Sequence, residues 1–515
     1  MIRTLLICLL LPTAAHAQAG PLVLTSPAPG SFATFGASVA ALSTGVVVVG
    51  EPGATATEDR AGRAYVLSGT DGMVLRTLAQ PTPTFAAAFG QTVVALGDVD
   101  GDGLDEVAVA APGDLDPAPS VGESGRVYVF SAAPGVLLYT FTAPQPVNQG
   151  RFGQRMASVD DVDGDGARDL AVLDRRDNRV RLFNGRTGAL IRALAGPPAS
   201  PVAAIAGVPD LDGDGAGDVL VGNNGDTFDG SPDPGSASVF SGATGVLLAR
   251  LVSPATQPAD YFGAAVAGVP DVDGDGAGDL LVGAPLSPVG EFVGRAFVFS
   301  GATRALLFSL VSPTPNPSRD FDFGRVVAAG PDLTGDGTPD LLVAAPFEGA
   351  DRFGRVHVFS GANGALAGTL ASSAPTAGVS GQFGGALALR PNRPDVIVGA
   401  PFERVGSVSA GGHVYILRSA FTSTTAAPDD GALSVMVWPN PVAGHLHARV
   451  TGTADARAEA RIVLLDPLGR SVADAPTAGG IDTSGLSPGV YMWRVTAGAR
   501  ARSGRVTVLG ARPSR

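Results

Sequence analysis

Lysine is absent from this sequence, cysteine occurs once, and aromatic residues make up only 6% of the chain. The single cysteine, Cys8, lies near the N-terminus, so the rest of the chain must be stabilised by packing or by metal rather than by internal disulfides. Glycine and proline are abundant instead, with 71 and 41 copies, which favours short elements joined by turns over long helices. An apolar content of 45% excludes a globally disordered chain.

Positive charge is also scarce, because the formal net charge is −13 at pH 7. Nucleic-acid phosphates require a basic surface, so a nucleic-acid partner is not expected. At 515 residues the chain is too long for one ordinary core, and it therefore contains either several domains or a repeat architecture.

The first 17 residues have the features of a secretory signal peptide. Arg3 supplies the positive start, residues 5–11 the apolar centre, and Ala15-His16-Ala17 a small-x-small cleavage site. The apolar run is too short to span a bilayer, and no later run is long enough. The sequence therefore predicts a secreted chain without a transmembrane segment.

A repeat of roughly sixty residues organises most of the sequence. The pattern of each copy predicts four short strands separated by turns. Repeated at this period, it predicts an all-β fold in which the strands form propeller blades. The marker of six copies is a Phe-Gly pair, and Pro201-Val202 takes its place in one further, degenerate copy, the fourth of seven in chain order. The six pairs begin at Phe35, Phe89, Phe152, Phe262, Phe323 and Phe383.

The two ends of the repeat region complement each other. Residues 22–27 resemble the fourth-strand segment 307–313, whereas the seventh copy lacks a clear fourth strand after residues 413–417. We therefore expect the N-terminal strand to complete the last blade and close a ring of seven blades.

Five copies contain a nine-residue acidic loop. In the loop of residues 271–279, carboxylates stand at positions one, three, five and nine, two glycines let the chain turn inward, and the position-seven carbonyl adds another oxygen. This is the hard-oxygen chemistry that Ca²⁺ prefers. The predicted ligands at positions one, three, five, seven and nine are Asp98, Asp100, Asp102, Leu104 and Glu106; Asp161, Asp163, Asp165, Ala167 and Asp169; Asp210, Asp212, Asp214, Ala216 and Asp218; Asp271, Asp273, Asp275, Ala277 and Asp279; and Asp332, Thr334, Asp336, Thr338 and Asp340.

We expect up to five structural Ca²⁺ sites, because no base or nucleophile recurs beside the loops as catalytic metal chemistry requires. The alternative is a tight acidic turn that holds no metal. Two loops depart from the pattern, with Glu106 at position nine and Thr334 at position three, and the loop with the threonine should bind more weakly.

Phe-Gly, Asp-x-Asp-Gly-Asp-Gly-x-x-Asp, Leu-Leu-Val-Gly-Ala-Pro and Gly-Arg-Val-x-Val-Phe, in this order, resemble the FG-GAP repeat of integrin α-subunit heads. The resemblance implies a seven-bladed β-propeller with Ca²⁺ in the loops that join first and second strands, and ligands on the opposite face. That face would be built by residues 53–61, 113–123, 223–235, 286–293, 347–353 and 402–411. These loops differ between copies, which suits a binding surface or, equally, tolerant surface loops.

The C-terminal part resembles the type A sorting domain of type IX secretion substrates, through Trp438-Pro439-Asn440-Pro441 and residues 465–470, 486–491 and 505–509. The resemblance implies recognition by a secretion machinery and export to the outside or the outer cell surface. An ordinary adhesion sandwich is the alternative. The predicted organisation is a signal peptide (1–17), a seven-bladed propeller (18–418), a polar linker (419–432) and a small β-sandwich sorting domain (433–515).

A secreted, calcium-stabilised propeller that binds an extracellular protein or glycan is the leading functional hypothesis. A hydrolase of glycans or phosphodiesters and a structural surface-layer component are the alternatives. No catalytic frame of Ser, His and Asp stands out, so an enzyme is not expected. His357 and His413, at third-strand positions, are predicted to be packing or edge residues.

Overall fold

The computed structural model describes a chain built from β-strands, turns and loops, with no helix among the described residues. These residues therefore include no helical segment with the length and hydropathy needed to cross a bilayer. The described residues are 21–55, 58–116, 121–194, 201–226, 235–254, 260–286, 294–313, 322–349, 352–373, 375, 380–390, 393–418, 434–438, 445–451, 461–466, 470–476, 481–497 and 500–508. The predicted signal peptide and linker lie outside them.

Seven four-stranded antiparallel sheets form the blades of a β-propeller, as the repeat predicts. Their strands are β1 (Leu22–Thr25), β2 (Ser38–Ala41), β3 (Val46–Glu51), β4 (Arg63–Ser68), β5 (Val74–Leu78), β6 (Val93–Gly97), β7 (Glu106–Ala111), β8 (Arg126–Ser131), β9 (Val136–Thr142), β10 (Met156–Val159), β11 (Asp169–Asp174), β12 (Arg179–Phe183), β13 (Leu190–Ala193), β14 (Ala204–Val208), β15 (Asp218–Asn223), β16 (Ser236–Phe240), β17 (Leu247–Leu251), β18 (Ala265–Val269), β19 (Asp279–Ala284), β20 (Arg295–Phe299), β21 (Leu306–Val311), β22 (Val326–Gly330), β23 (Asp340–Ala345), β24 (Arg355–Phe359), β25 (Leu366–Leu370), β26 (Ala386–Leu389), β27 (Asp395–Ala400) and β28 (His413–Arg418).

The first strand of each blade lies beside the first strands of the two neighbouring blades, so these seven strands surround a central channel. Six of the seven second strands are buried along their whole length, and in the seventh, β3, only the first residue, Val46, is half-buried, because each second strand packs between two blades. Their sequences are for this reason continuous apolar runs and do not alternate between apolar and polar residues.

The N-terminal strand closes the ring. Strand β1 pairs antiparallel with β28, so that Leu24 lies opposite Val414 and the seventh blade gains its fourth strand. Leu24 is buried with Phe35 and Ile416, in a cluster shared by the first and seventh blades. The predicted closure is therefore confirmed, and the seventh blade has four strands like the other six.

The Phe-Gly pair is the point where one blade contacts the next. The six phenylalanine rings are fully buried. Gly90, with φ of 88°, lies so close to the preceding blade that a β-carbon on it would stand 2.4 Å from the carbonyl oxygen of Arg63. A β-carbon at Gly50, in the second strand of that preceding blade, would meet the Gly90 carbonyl oxygen at 2.0 Å. At this junction only glycine at both positions permits the approach. The glycine after phenylalanine is common to all six Phe-Gly copies, whereas the second-strand position is glycine in four blades and Ala110, Leu173 or Ala344 in the other three.

The C-terminal region forms two further antiparallel sheets, with strand orders β29-β30-β33 and β32-β31-β34-β35. Their strands are β29 (Ser434–Trp438), β30 (His445–Thr451), β31 (Arg461–Leu465), β32 (Ser471–Pro476), β33 (Ile481–Asp482), β34 (Gly489–Ala497) and β35 (Arg500–Val508). Leu446, Ile462, Tyr491 and Val508 are buried together in one small core drawn from both sheets. This agrees with the small β-sandwich expected from the sequence.

Candidate functional site

The five acidic loops all join the first strand of a blade to its second strand. Because the strands of each blade alternate in direction, these loops lie on one face of the propeller, here termed the acidic-loop face. The loops between second and third strands, and the connections between blades, lie on the opposite face.

The carboxylate at position one organises each loop through backbone hydrogen bonds. In the loop of residues 271–279, Gly274 and Gly276 donate their N–H groups to the two oxygens of Asp271, at 2.6 and 2.9 Å. Both glycines have positive φ, 80° and 91°, which turns the backbone inward around the carboxylate. In the other four loops the two glycines donate the same pair of hydrogen bonds to the position-one carboxylate, which is Asp98, Asp161, Asp210 or Asp332.

The carboxylate at position nine begins the second strand and is fully buried in all five loops. Asp279 accepts the N–H of Val272 and the N–H of Gly301, both at 2.9 Å, which ties the loop to the turn after the third strand. Burial raises the pKa of Asp279 to about 6, and repulsion from Asp273 and Asp275 adds to the increase. Burial likewise raises the pKa of Asp169, Asp218 and Asp340 to about 6 and that of Glu106 to about 7.

Carboxylate oxygens from three positions come within 4.8 Å of one another in every loop. The clusters are Asp98, Asp100 and Glu106; Asp161, Asp163 and Asp169; Asp210, Asp212 and Asp218; Asp271, Asp273 and Asp279; and Asp332, Asp336 and Asp340. The structure thus brings together positions one, three and nine in four loops. In the last loop, position five takes the place of Thr334.

The donor set fits a hard divalent cation. Three carboxylates at such short range repel one another, and a cation would remove that repulsion. The Oε1 atom of Glu106 is buried without a hydrogen-bond partner among the described residues, as expected of an oxygen kept for a metal. The predicted contributions of the position-five carboxylates in the other loops, and of the position-seven carbonyls, remain predictions.

In the fifth loop, Thr334 occupies position three, where the other four loops have an aspartate. Its hydroxyl lies 3.3 Å from Asp332 and 3.4 Å from Asp340, and its backbone N–H donates to Asp340 at 2.8 Å. A neutral donor therefore stands where the other loops present a carboxylate, so this loop has one charge fewer to hold a cation.

The two blades without an acidic loop use other groups of the chain at the same place. In the seventh blade, Asp395 begins the second strand as Asp340 does in the sixth, and the guanidinium of Arg390 donates to it at 2.9 Å. Both side chains are buried. In the first blade, the tight turn at Ser43 is capped by Asp105 of the second blade, which accepts its backbone N–H at 2.6 Å. Sequence reasoning missed both, although the pair of Arg and Asp five residues apart was a visible signal.

Buried carboxylates at the ends of second strands support the opposite face in six blades. Glu51, Asp114, Asp174, Asp226, Glu348 and Glu403 each bond to a third-strand side chain, namely Tyr65, Tyr128, Arg181, Ser236, His357 and Tyr415. His357 and His413 are accordingly buried packing residues, as predicted, and each also lies against one of these carboxylates, at 2.7 and 3.1 Å.

Of the six loops expected to form the opposite face, residues 402–411 are described in full and the other five in part. The parts described lie on that face, as the strand order requires.

Protein-family models match the chain in five segments. The FG-GAP repeat matches residues 89–130, 262–299 and 323–359, and the FG-GAP-like repeat matches residues 161–221. A secretion system C-terminal sorting domain matches residues 436–508. The chain carries FG-GAP repeats followed by a secretion sorting domain. All five acidic loops lie inside the matched FG-GAP segments, and the sorting domain indicates type IX secretion to the cell surface or the outside.

Curated relatives of the FG-GAP region are integrin α-subunits. The chain is 35% identical to integrin alpha-4 of Xenopus laevis over 146 residues, which is 27% of this chain and 14% of that protein. It is 39% identical to human integrin alpha-IIb over 164 residues, 28% of this chain and 15% of that protein. With integrin alpha-5 of Xenopus laevis it shares 32% identity over 292 residues, 52% of this chain and 22% of that protein. The matches thus span less than a quarter of these relatives.

Among solved structures, the crystal structure of Chaetomium thermophilum Raptor aligns with a TM-score of 0.49 at 11% identity, over 77% of this chain and 29% of that one.

Proposed function

We propose that this chain is an exported binding protein whose propeller is stabilised by up to five Ca²⁺ ions and presents a ligand-binding surface on the face opposite the acidic loops. The observation that carries the proposal is the five carboxylate clusters, each at the same place in its blade. Their repetition favours a structural role, because a catalytic metal needs neighbouring groups that a repeat does not supply.

The energetic contribution of such ions is substantial. Extracellular Ca²⁺ modules have dissociation constants of about 10⁻⁴–10⁻³ M. At free Ca²⁺ tenfold above the dissociation constant, each ion adds about 1.4 kcal/mol to the free energy of unfolding. Since the typical free energy of unfolding is about 5–15 kcal/mol, five such ions would supply a substantial share of it.

Chelation tests the stabilising role. The melting temperature of the chain should fall when EDTA removes Ca²⁺ and should recover when Ca²⁺ is restored, while Mg²⁺ should restore less of it. An unchanged melting temperature in EDTA would contradict the role of Ca²⁺ as a stabilising ion.

A ligand array tests the binding role. The purified chain should bind at least one member of an array of glycans and extracellular-matrix proteins, and substitutions on the opposite face should weaken that binding. Hydrolysis of a glycan or phosphodiester that continues without Ca²⁺ would favour the enzyme hypothesis instead. Self-assembly into arrays in the absence of any ligand would favour a surface-layer component.

A further inference from the structure

Two cavities open at the end of the central channel on the face opposite the acidic loops. The first, of about 580 Å³, is lined by the seventh, first and second blades and includes Phe32, Arg60 and Phe402. The second, of about 420 Å³, is lined by the remaining blades and includes Arg155, Tyr261 and Arg325. We call the two together the channel mouth.

The second cavity concentrates positive charge in a chain that is otherwise acidic. The guanidinium of Arg155 is held by the carbonyl oxygens of Ala203 and Gln154, at 2.7 and 3.2 Å. Desolvation by the surrounding walls lowers the pKa of Arg155, and repulsion from Arg325 and Arg175 lowers it further. The side chain is nevertheless reachable by solvent. Arg155 and Arg325 line the cavity together with one carboxylate, Asp322, which lies 3.4 Å from Arg325, so two guanidinium groups share a single acid there.

Such an arrangement favours an anion as ligand. Guanidinium groups bind carboxylates through paired, charge-assisted hydrogen bonds, and these bonds are strongest where the guanidinium is partly desolvated. Placing an anion between Arg155 and Arg325 would also relieve their mutual repulsion.

The first cavity presents exposed aromatic rings beside polar side chains. Phe32 is 63% exposed and Phe402 is 37% exposed, although most phenylalanines of the chain are buried. Gln91, Gln382 and Arg60 line the same cavity. Flat apolar rings next to amide and guanidinium donors suit a sugar, whose C–H face packs on an aromatic ring while its hydroxyls form hydrogen bonds.

The two cavities adjoin at the boundary between the second and third blades. Thr92, which follows Gln91 of the first cavity, donates its hydroxyl to the carbonyl oxygen of Gln154 at 3.2 Å, and Gln154 precedes Arg155 of the second. A chain of a few sugar units could therefore contact both cavities.

The backbone around the channel mouth is strained. In all six Phe-Gly copies the residue before phenylalanine has a left-handed φ, although none of the six is glycine: Thr34, Ala88, Arg151, Tyr261, Asp322 and Gln382. Five of them line the two cavities, with Arg151 as the exception. Such conformations are unfavourable for residues other than glycine, and they concentrate at active sites and ligand-binding sites.

We propose that the channel mouth binds an acidic polysaccharide, with sugar rings packed on Phe32 and Phe402 and a uronate carboxylate held by Arg155 and Arg325. This proposal rests on the proposed function, since it names the ligand of the same face. The overall negative charge does not oppose it, because five bound Ca²⁺ ions would offset ten of the thirteen net negative charges.

The test is binding of oligogalacturonate, compared with a neutral oligosaccharide of equal length, to the full chain in Ca²⁺ by calorimetry. We expect micromolar to millimolar binding of the acidic oligosaccharide only, weakened by added salt. Arg155→Gln and Arg325→Gln should each reduce affinity about tenfold or more. The matched control is Arg393→Gln, which removes an exposed arginine beside β27, at the acidic-loop face.

Phe32→Ala should also weaken binding, whereas Met73→Ala, which removes an equally exposed side chain elsewhere, should not. Melting temperatures separate a binding defect from unfolding, and Arg325, whose side chain is 57% exposed, can be replaced without disturbing the core. Equal binding of the neutral sugar, or full affinity in Arg155→Gln and Arg325→Gln, would overturn the acidic-polysaccharide site. Binding of an array protein but no oligosaccharide would overturn it too, yet leave the proposed function intact.

Discussion

The carboxylate at position nine shows how a single residue serves both folding and metal binding. Its two oxygens accept backbone N–H groups from two different turns, so it joins the loop to the blade even before a cation is considered. Burial raises its pKa all the same, which means that the ion-free loop binds a proton more tightly than an exposed carboxyl group does. A proton and a cation therefore compete for the same site.

This competition predicts a pH-dependent effect of Ca²⁺. A carboxyl group whose pKa is higher in the folded than in the unfolded chain stabilises the fold when it is protonated. That contribution is complete below the unfolded pKa near 4 and is lost as the pH rises to the folded pKa of about 6 or 7. In EDTA the chain should lose stability from pH 4 to 7, whereas in Ca²⁺ the cation replaces the proton. The increase in melting temperature caused by Ca²⁺ should thus grow from pH 5 to pH 7.5, as measured by differential scanning fluorimetry. An increase that is constant across this range would contradict the competition.

At the scale of the element, the turn between the first and second strands of a blade is stabilised in one of three ways. Five blades have an acidic loop, one has an arginine that pairs with a buried aspartate, and one has a carboxylate from the next blade. In the seventh blade the guanidinium of Arg390 neutralises Asp395, the counterpart of a position-nine carboxylate. We infer that this blade carries a built-in cation where five others have an acidic cluster. The stability of the turn in this blade should therefore not change when a chelator removes Ca²⁺.

Removal of that built-in cation should be costly. Arg390→Leu leaves Asp395 buried without a partner, and breaking a buried pair from one side costs about 3–5 kcal/mol of unfolding free energy. Arg393→Leu, which changes an exposed arginine of the same segment, should cost less than about 0.5 kcal/mol. Urea denaturation in Ca²⁺ measures both. Similar losses for the two variants would refute the role of Arg390.

Sequence reasoning identified the acidic loops and the strands because both repeat in phase. The second strand of the fifth blade, Asp279–Ala284, begins at the position-nine carboxylate itself, because Asp279 pairs with Val269 and Ala284 pairs with Arg295 in the ladder. The Arg390–Asp395 pair was missed because it occurs once and its geometry is local to one blade. The sequence placed Arg60 and Phe402 in loops of the opposite face, but the two cavities of the channel mouth were missed because residues such as Phe32 and Phe402 lie far apart in sequence and come together only when the ring closes.

For the whole molecule, the pairing of β1 with β28 makes the propeller one continuous ring. The Gly399 site of the seventh blade is packed against Gly36 of the first as Gly50 is against Gly90, so the closing junction is built like the others. A local loss at this junction should therefore weaken the entire ring rather than one blade.

Leu24 tests that view. Leu24→Ala removes a buried side chain from the cluster shared by the first and last blades and should cost about 2–5 kcal/mol. Val23→Ala, on the exposed side of the same strand, should cost less than about 0.5 kcal/mol. In calorimetry, Leu24→Ala should lower the temperature of the main unfolding transition of the propeller without splitting that transition. A new, separate transition of one blade would show that the ring does not unfold as a unit.

The closing strand also imposes an order on biosynthesis. β1 is among the first segments of the propeller to be made, but its partner β28 is the last, and the sorting domain follows directly at residues 436–508. A polypeptide interrupted before residue 413 has neither a closed ring nor the C-terminal sorting domain. The same final stretch of translation supplies both, so a truncated product that cannot finish folding is also one that the secretion machinery has no signal to accept.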